Sequence, residues 1–245
     1  MKDKFDYYDA FAVILPGLVA MLCMAFMLDA VDDWDKYMKI SLGSSLLVCV
    51  LAFLVGEAIQ IVAKLLETCF WKFFCDGKPT VWIADEKPHA FARWIRSMTS
   101  PILPNEDIQT VKLALKETKA LTKAHIRTNF HSMKLDAWQY PETKNICSNY
   151  ISKANMYRGF STIALGVFIY ALWHIIPAIF NQEISVDMRD IITLACGLAA
   201  LLLFGYRFMY FSKKYSQTFL SGFVKTWKKN NPDMSKASKL AKGVS

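Results

Sequence analysis

Three of the polar side chains in or at the edges of the apolar stretches of this sequence stand out: Glu57, Gln60 and Arg207. Glu57 and Gln60 fall in FLVGEAIQIVAKLLE (53–67), directly after an uncharged run, and Arg207 follows another. A charge surrounded by hydrocarbon is costly, so a chain that keeps one there pairs it or puts it to use. Gln60, Lys64 and Glu67 follow Glu57 at offsets that share one helical face. Counted from Lys64, Glu57 lies about two turns, ~10 Å, inside the apolar region. Arg207, of opposite sign, lies one to two turns inside the edge near Lys213. The expectation is an intramembrane Glu57–Arg207 pair with Gln60 beside it. Such a group either holds helices together or lines a polar cavity or gate. Pro16-Gly17 sits at a similar depth in the first apolar run and reads as a helix kink. Proline donates no backbone hydrogen bond, so a carbonyl in the 12–13 region needs another partner, and Gln60 could serve.

Little else in the chain has the spacing that chemistry requires. Walker A, H-E-x-x-H, G-x-S-x-G and EF-hand patterns are absent. His125 and His131 are six apart, about 120° round a helix, which suits no shared metal. His174 beside Trp173 reads as an interfacial packing residue. The six cysteines (23, 49, 69, 75, 147, 196) form no C-x-x-C, and no disulfide is expected. The reading is therefore of a protein with no metal, no cofactor and no enzymatic activity; a membrane-bound enzyme of unrecognised type is the second alternative.

The elements that must position these residues are long apolar segments. The composition, 54% hydrophobic with net charge +8, is too apolar for a disordered chain. The apolar residues come in blocks rather than scattered periodically. About 20 helical residues cross the ~30 Å hydrocarbon layer, and four blocks qualify, at about 10–28, 40–63, 159–180 and 190–211. The expected fold is an all-α integral membrane protein with four transmembrane helices. The acidic-and-basic start MKDKFDYYD, with no cleavage site following, argues for a retained first span rather than a signal peptide. The short loops 29–39 and 181–190 are acidic, whereas the central region and the tail are rich in Lys and Arg. Positive charge marks the cytoplasmic side, so both termini and the central region are expected in the cytoplasm, with the spans in the inner (plasma) membrane.

Four parts follow: a first transmembrane hairpin (1–63), a mainly helical cytoplasmic domain (64–158), a second hairpin (159–211) and a basic amphipathic tail (212–245). KLLETCFWKFF should extend the second helix past the membrane until Asp76-Gly77 and Pro79 stop it. TVWIAD is at most a short strand, and PHAFARWIRSM a short helix with Pro88 in its first turn. Asn105 is placed to cap a helix running through DIQTVKLALKETKALTKAHIRTNF. Residues 144–158 should lead into the third span. In the tail, Phe219, Phe223 and Trp227 recur every four residues among Lys225, Lys228 and Lys229. This stripe either packs on the cytoplasmic domain or lies on the inner leaflet or a partner, where lysines attract anionic lipid. Nucleic acid is not an expected ligand, for want of a recognised fold or stacking platform.

Several of these residues carry a resemblance. Tyr8-Asp9-x-Phe11-x-x-Ile14-x-Pro16-Gly17 resembles the Y-D-x-F…P-G opening of a widespread group of small, mostly uncharacterised bacterial four-span membrane proteins. Gly56…Gln60…Glu67 is similar to that group's second span. Tyr157-Arg158-Gly159 and the Arg207…Tyr210…Tyr215 run match the edges of spans three and four. Members often lie near anti-phage defence genes. The resemblance implies a non-enzymatic membrane component or effector of a multi-protein, antiviral system. Its expected partners are membrane lipids, a protein or ligand met by the cytoplasmic domain, and further copies in a homo-oligomer. A channel or transporter subunit using Glu57 and Arg207 is the alternative.

Overall fold

The computed structural model describes residues 7–27, 42–84, 87–97, 101–115, 121–181 and 187–232. Among them lie α1 (Tyr7–Met27), α2 (Leu42–Phe73), α3 (Ala90–Ser97), α4 (Asn105–Ala114), α5 (Lys123–Ala137), α6 (Pro141–Asn181) and α7 (Met188–Asn230). No strand occurs among the described residues. Four of these helices, α1, α2, α6 and α7, are long and apolar enough to cross a membrane. Helix is the form those blocks must take in lipid, because each backbone group then finds its partner within the segment.

The chain divides into two compact units, residues 1–67 with 152–210, and 68–151 with 211–245. The described part of the tail, to residue 232, thus belongs to the second unit rather than standing apart.

Small residues set the packing of the first unit. A Cβ on Gly17 would lie 1.8 Å from the Ala52 carbonyl oxygen, and one on Gly56 would lie 2.1 Å from that of Val13. Only glycine permits α1 and α2 to cross so closely, the arrangement by which membrane helices gain contact without a hydrophobic driving force between them. Ala12, Ala52 and Ala63 are buried on the same faces. Gly197 of α7 similarly meets the backbone of Phe168 in α6, and Tyr157 and Phe160 pack, tilted, against Phe204 with ring centres 6.2 and 5.2 Å away. Leu46, Leu54, Ile61, Leu202 and Leu203 point outward and are mostly exposed, as a lipid-facing surface requires.

The second unit has a core of its own. Val111, Leu121, Ile126, Met133, Cys147, Phe219, Leu220 and Phe223 form its centre. α2 runs on to Phe73 and is stopped at Cys75-Asp76-Gly77, where Asp76 and Gly77 both adopt positive φ (55° and 108°). The Gly77 N–H turns back to the Trp71 carbonyl at 2.6 Å.

Three expectations change here. TVWIAD gives a 3₁₀ turn, Pro79–Val81, because its backbone bonds locally, as from Trp82 N–H to Pro79 O. Pro88 precedes α3 rather than entering its first turn. The helix expected to run unbroken from Asn105 is two helices, and Pro104 takes the cap position. α5 begins afresh where the Thr122 hydroxyl accepts a hydrogen bond from the His125 N–H at 3.3 Å, a cap of ordinary chemistry hidden in a run of good helix formers.

Candidate functional site

Gln60 sits where three helices of the first unit meet. Its side-chain amide donates to the Ala12 carbonyl of α1 at 3.1 Å and to the Asn155 carbonyl of α6 at 3.0 Å. Its carbonyl oxygen accepts from the Arg158 guanidinium at 2.8 Å. Ala12 is the residue four before Pro16, the one whose carbonyl the proline cannot serve. Both amide hydrogens and one acceptor position of Gln60 are thus engaged. The carbonyl left open by the kink has the partner that the sequence pointed to.

Arg158 closes the joint. Its other terminal nitrogen forms a 2.5 Å ion pair with Glu67 of α2, and the two side chains are 11% and 8% exposed. One planar guanidinium so engages two residues of α2, seven positions apart, which a lysine's single ammonium does not reproduce. Lys64 adds a looser contact to Glu67 at 3.7 Å from an exposed position. Gly159 completes the fit: a Cβ there would come within 3.0 Å of Gln60 Nε2 and the Pro16 ring.

Pro16, Gly17, Gly56, Gln60, Glu67, Arg158 and Gly159 therefore share one neighbourhood, although they are scattered over three spans. Glu57 and Arg207 do not join it. Both are exposed, and no ion pair links them among the described residues. The reason is helix rotation. Ala52, Gly56 and Ala63 mark the face that α2 turns inward, and at 100° per residue Gln60 and Glu67 lie within about 60° of its centre, whereas Glu57 lies roughly 120° away. The spacing of small residues carries that phase in the sequence. Arg158 stands directly before the third apolar block, and only the resemblance at Tyr157-Arg158-Gly159, not the charge pattern, singles it out.

A second polar group lies in the second unit. The Asp76 carboxylate binds Lys123 at 2.7 Å and Arg96 at 3.8 Å, and Arg96 also donates to the Cys75 and Asp76 carbonyls. The Arg96 guanidinium lies 5.3 Å from the Trp82 ring centre. Burial lowers the pKa of Arg96, partly offset by Asp76 and Cys75. Burial pushes the Cys75 thiol up to about 12, against the pull of Arg96. A thiol so held is inert rather than nucleophilic. The cluster fastens the end of α2; none of its parts is arranged as nucleophile and base.

The tail stripe is turned inward. Phe219 and Phe223 are 0% and 4% exposed within the core of their own unit, so neither is free to enter a leaflet. Lys228 pairs with Asp107 at 2.8 Å, and Lys225 and Lys229 lie 4.7 and 5.7 Å from the Tyr140 ring centre. Trp227, half-buried, lines an open cavity of about 230 Å³ with Phe223, Met133, Asn129, Ser132 and Asp136. No cluster of metal-ligating side chains occurs among the described residues.

No family model, no curated protein and no solved structure matches this chain.

Proposed function

We propose that the protein is a non-enzymatic, multi-pass component of the inner membrane, with both termini and the second unit in the cytoplasm. The second unit receives a protein partner or ligand, and the chain serves as membrane component or effector of a multi-protein system, of which antiviral defence is one. The observation that carries this reading is the cleft at Asn129, Ser132, Asp136 and Trp227, which combines hydrogen-bonding groups with aromatic surface. Recognition sites commonly have that make-up. The bundle reads as an anchor, because the polar side chains it encloses at Gln60, Arg158 and Glu67 are bonded to one another and to backbone.

Ser132→Trp fills the cleft from an exposed position. Expressed with its neighbouring genes, this variant should reach the membrane in normal amount yet lose the phenotype of the system. Retained phenotype with Ser132→Trp, or reporters placing the second unit outside the cytoplasm, would refute the reading. A channel or transporter subunit is the second reading, favoured by the exposed Glu57 and Arg207, which lining supplied by several copies would bring to use.

A further inference from the structure

Glu57 and Arg207 occupy surfaces built for lipid. Glu57 lies twelve residues into the apolar segment Ser45–Phe73, between Leu54 and Ile61, which are 58% and 65% exposed. Arg207 lies between Leu203 and Tyr210, 56% and 40% exposed. Neither charge has a hydrogen-bond or ion-pair partner among the described residues. An arginine near the membrane edge extends its long side chain toward water. A glutamate has no such reach, and a carboxylate facing hydrocarbon is unfavourable. Such a face is one that another protein surface covers.

The packing of the first unit places both charges in one layer. Gly17 meets α2 between Ala52 and Gly56, and Pro16 meets Gly159 of α6. Gly159, which also meets Gln60 Nε2, is thus level with α2 between the middle of 52–56 and Gln60, and Glu57 lies within that interval, no more than ~5 Å from either end at 1.5 Å per residue. Tyr157 and Phe160 pack against Phe204 at the same level of α6. Arg207 lies three residues past Phe204, ~5 Å in the direction α2 runs, since α2 and α7 both run opposite to α6. The heights agree, yet the faces differ. α2 packs on α1 and α6, whereas α7 packs on α6 and, through Arg189, on the end of α1.

We infer that a second copy of this chain docks in the membrane with its Arg207-bearing α7 face against the Glu57-bearing α2 face of the first. Copies in one bilayer share a common height, so opposite charges in the same layer meet across the contact without either leaving its depth. Leu54 and Ile61 then face Leu203 and Tyr210, an apolar surround that keeps water from the pair. The contact is head-to-tail, and repeated copies close a ring if the rotation allows. The inference stands whether or not the second unit binds a partner.

Cysteine pairing tests it directly. Glu57→Cys and Arg207→Cys are placed on separately tagged chains lacking Cys49, Cys69 and Cys196, co-expressed and oxidised in native membranes. The mixed Glu57→Cys/Arg207→Cys crosslink should exceed either like-with-like crosslink several-fold. A fluorescent fusion of the otherwise unaltered chain should bleach in more than one step per spot. Glu57→Arg should lower that multimer fraction, and Glu57→Arg with Arg207→Glu should restore it. Single-step bleaching of the unaltered fusion overturns the inference, as do like-with-like crosslinks equal to the mixed one. If the charge-swapped chain fails to accumulate, the cysteine pair decides alone, because both positions are exposed and tolerate a small side chain.

Discussion

Replacing Gln60 by leucine tests whether the proline in α1 and the glutamine in α2 form one unit. The substitution removes the bonds to Ala12, Asn155 and Arg158. Hydrogen bonds between membrane helices average about 0.6 kcal/mol and reach about 1.7. The Asn155 carbonyl keeps its helical partner, so that loss is small. The Ala12 carbonyl has none, because Pro16 lacks the N–H, and an orphaned buried acceptor costs about 1–3 kcal/mol. The expected total is about 2–4 kcal/mol. The decisive comparison is the same change in a Pro16→Ala background. There residue 16 supplies its own N–H to Ala12, and Gln60→Leu should cost about 1–2 kcal/mol less. Unfolding of the four single and double variants, measured by steric trapping or denaturant in one detergent, completes the cycle. Additivity within about 0.5 kcal/mol, the usual result for independent sites, would refute the reasoning.

Arg158→Ala takes from Glu67 its close counter-ion and leaves the looser Lys64 contact, and should destabilise by up to about 3–5 kcal/mol; Arg158→Lys should recover little, because Glu67 and Gln60 are engaged by two separate nitrogens. Unfolding midpoints of the two variants check this. Gly56→Leu should abolish the folded species, since even a Cβ would strike the Val13 carbonyl, and monodisperse yield after extraction reads it out. At pH 8 a water-soluble maleimide should modify exposed Cys69 and leave buried Cys75 intact. Cys75 also sets an alkaline limit. Its folded pKa of about 12 lies above the ordinary 9.0, so the stability it contributes is fully present below pH 9 and falls as pH rises toward 12. The denaturant midpoint should decline over that interval, and less so in Cys75→Ala.

Much of the architecture was legible because it depends on composition alone. Uncharged blocks give spans, and α2 overruns its block to Phe73 because nothing before Asp76-Gly77 stops it. The service of Gln60 to the 12–13 carbonyl was also legible, since proline chemistry names the orphan and matching depth names the donor. The Glu57–Arg207 pair was not, because depth and sign leave the rotation of each helix free. That rotation is decided by Gly17, Gly56 and Ala63, whose small size lets the backbones touch. The break before α5 was hidden for a different reason. LALKETKALTKAH consists almost wholly of helix formers, and only the docking of Leu121 and Ile126 in a tertiary core selects Thr122 as a start.

The joint also has a timetable. Gln60 can reach Ala12 as soon as the first hairpin is inserted, but Arg158 lies 98 residues beyond Gln60 and 91 beyond Glu67. At roughly 5–20 residues per second, Glu67 waits on the order of 5–20 seconds for Arg158, its close counter-ion, to be translated. The nascent first hairpin is a half-finished object for that interval, with an acidic group at its edge that an insertase or a neighbouring nascent chain can hold. The second unit waits longer still: Phe219 and Phe223 complete its core and leave the ribosome only after the fourth span. Stop codons between Phe211 and Phe219 therefore release a chain with four hydrophobic helices and an unfilled core, which quality-control proteases should recognise.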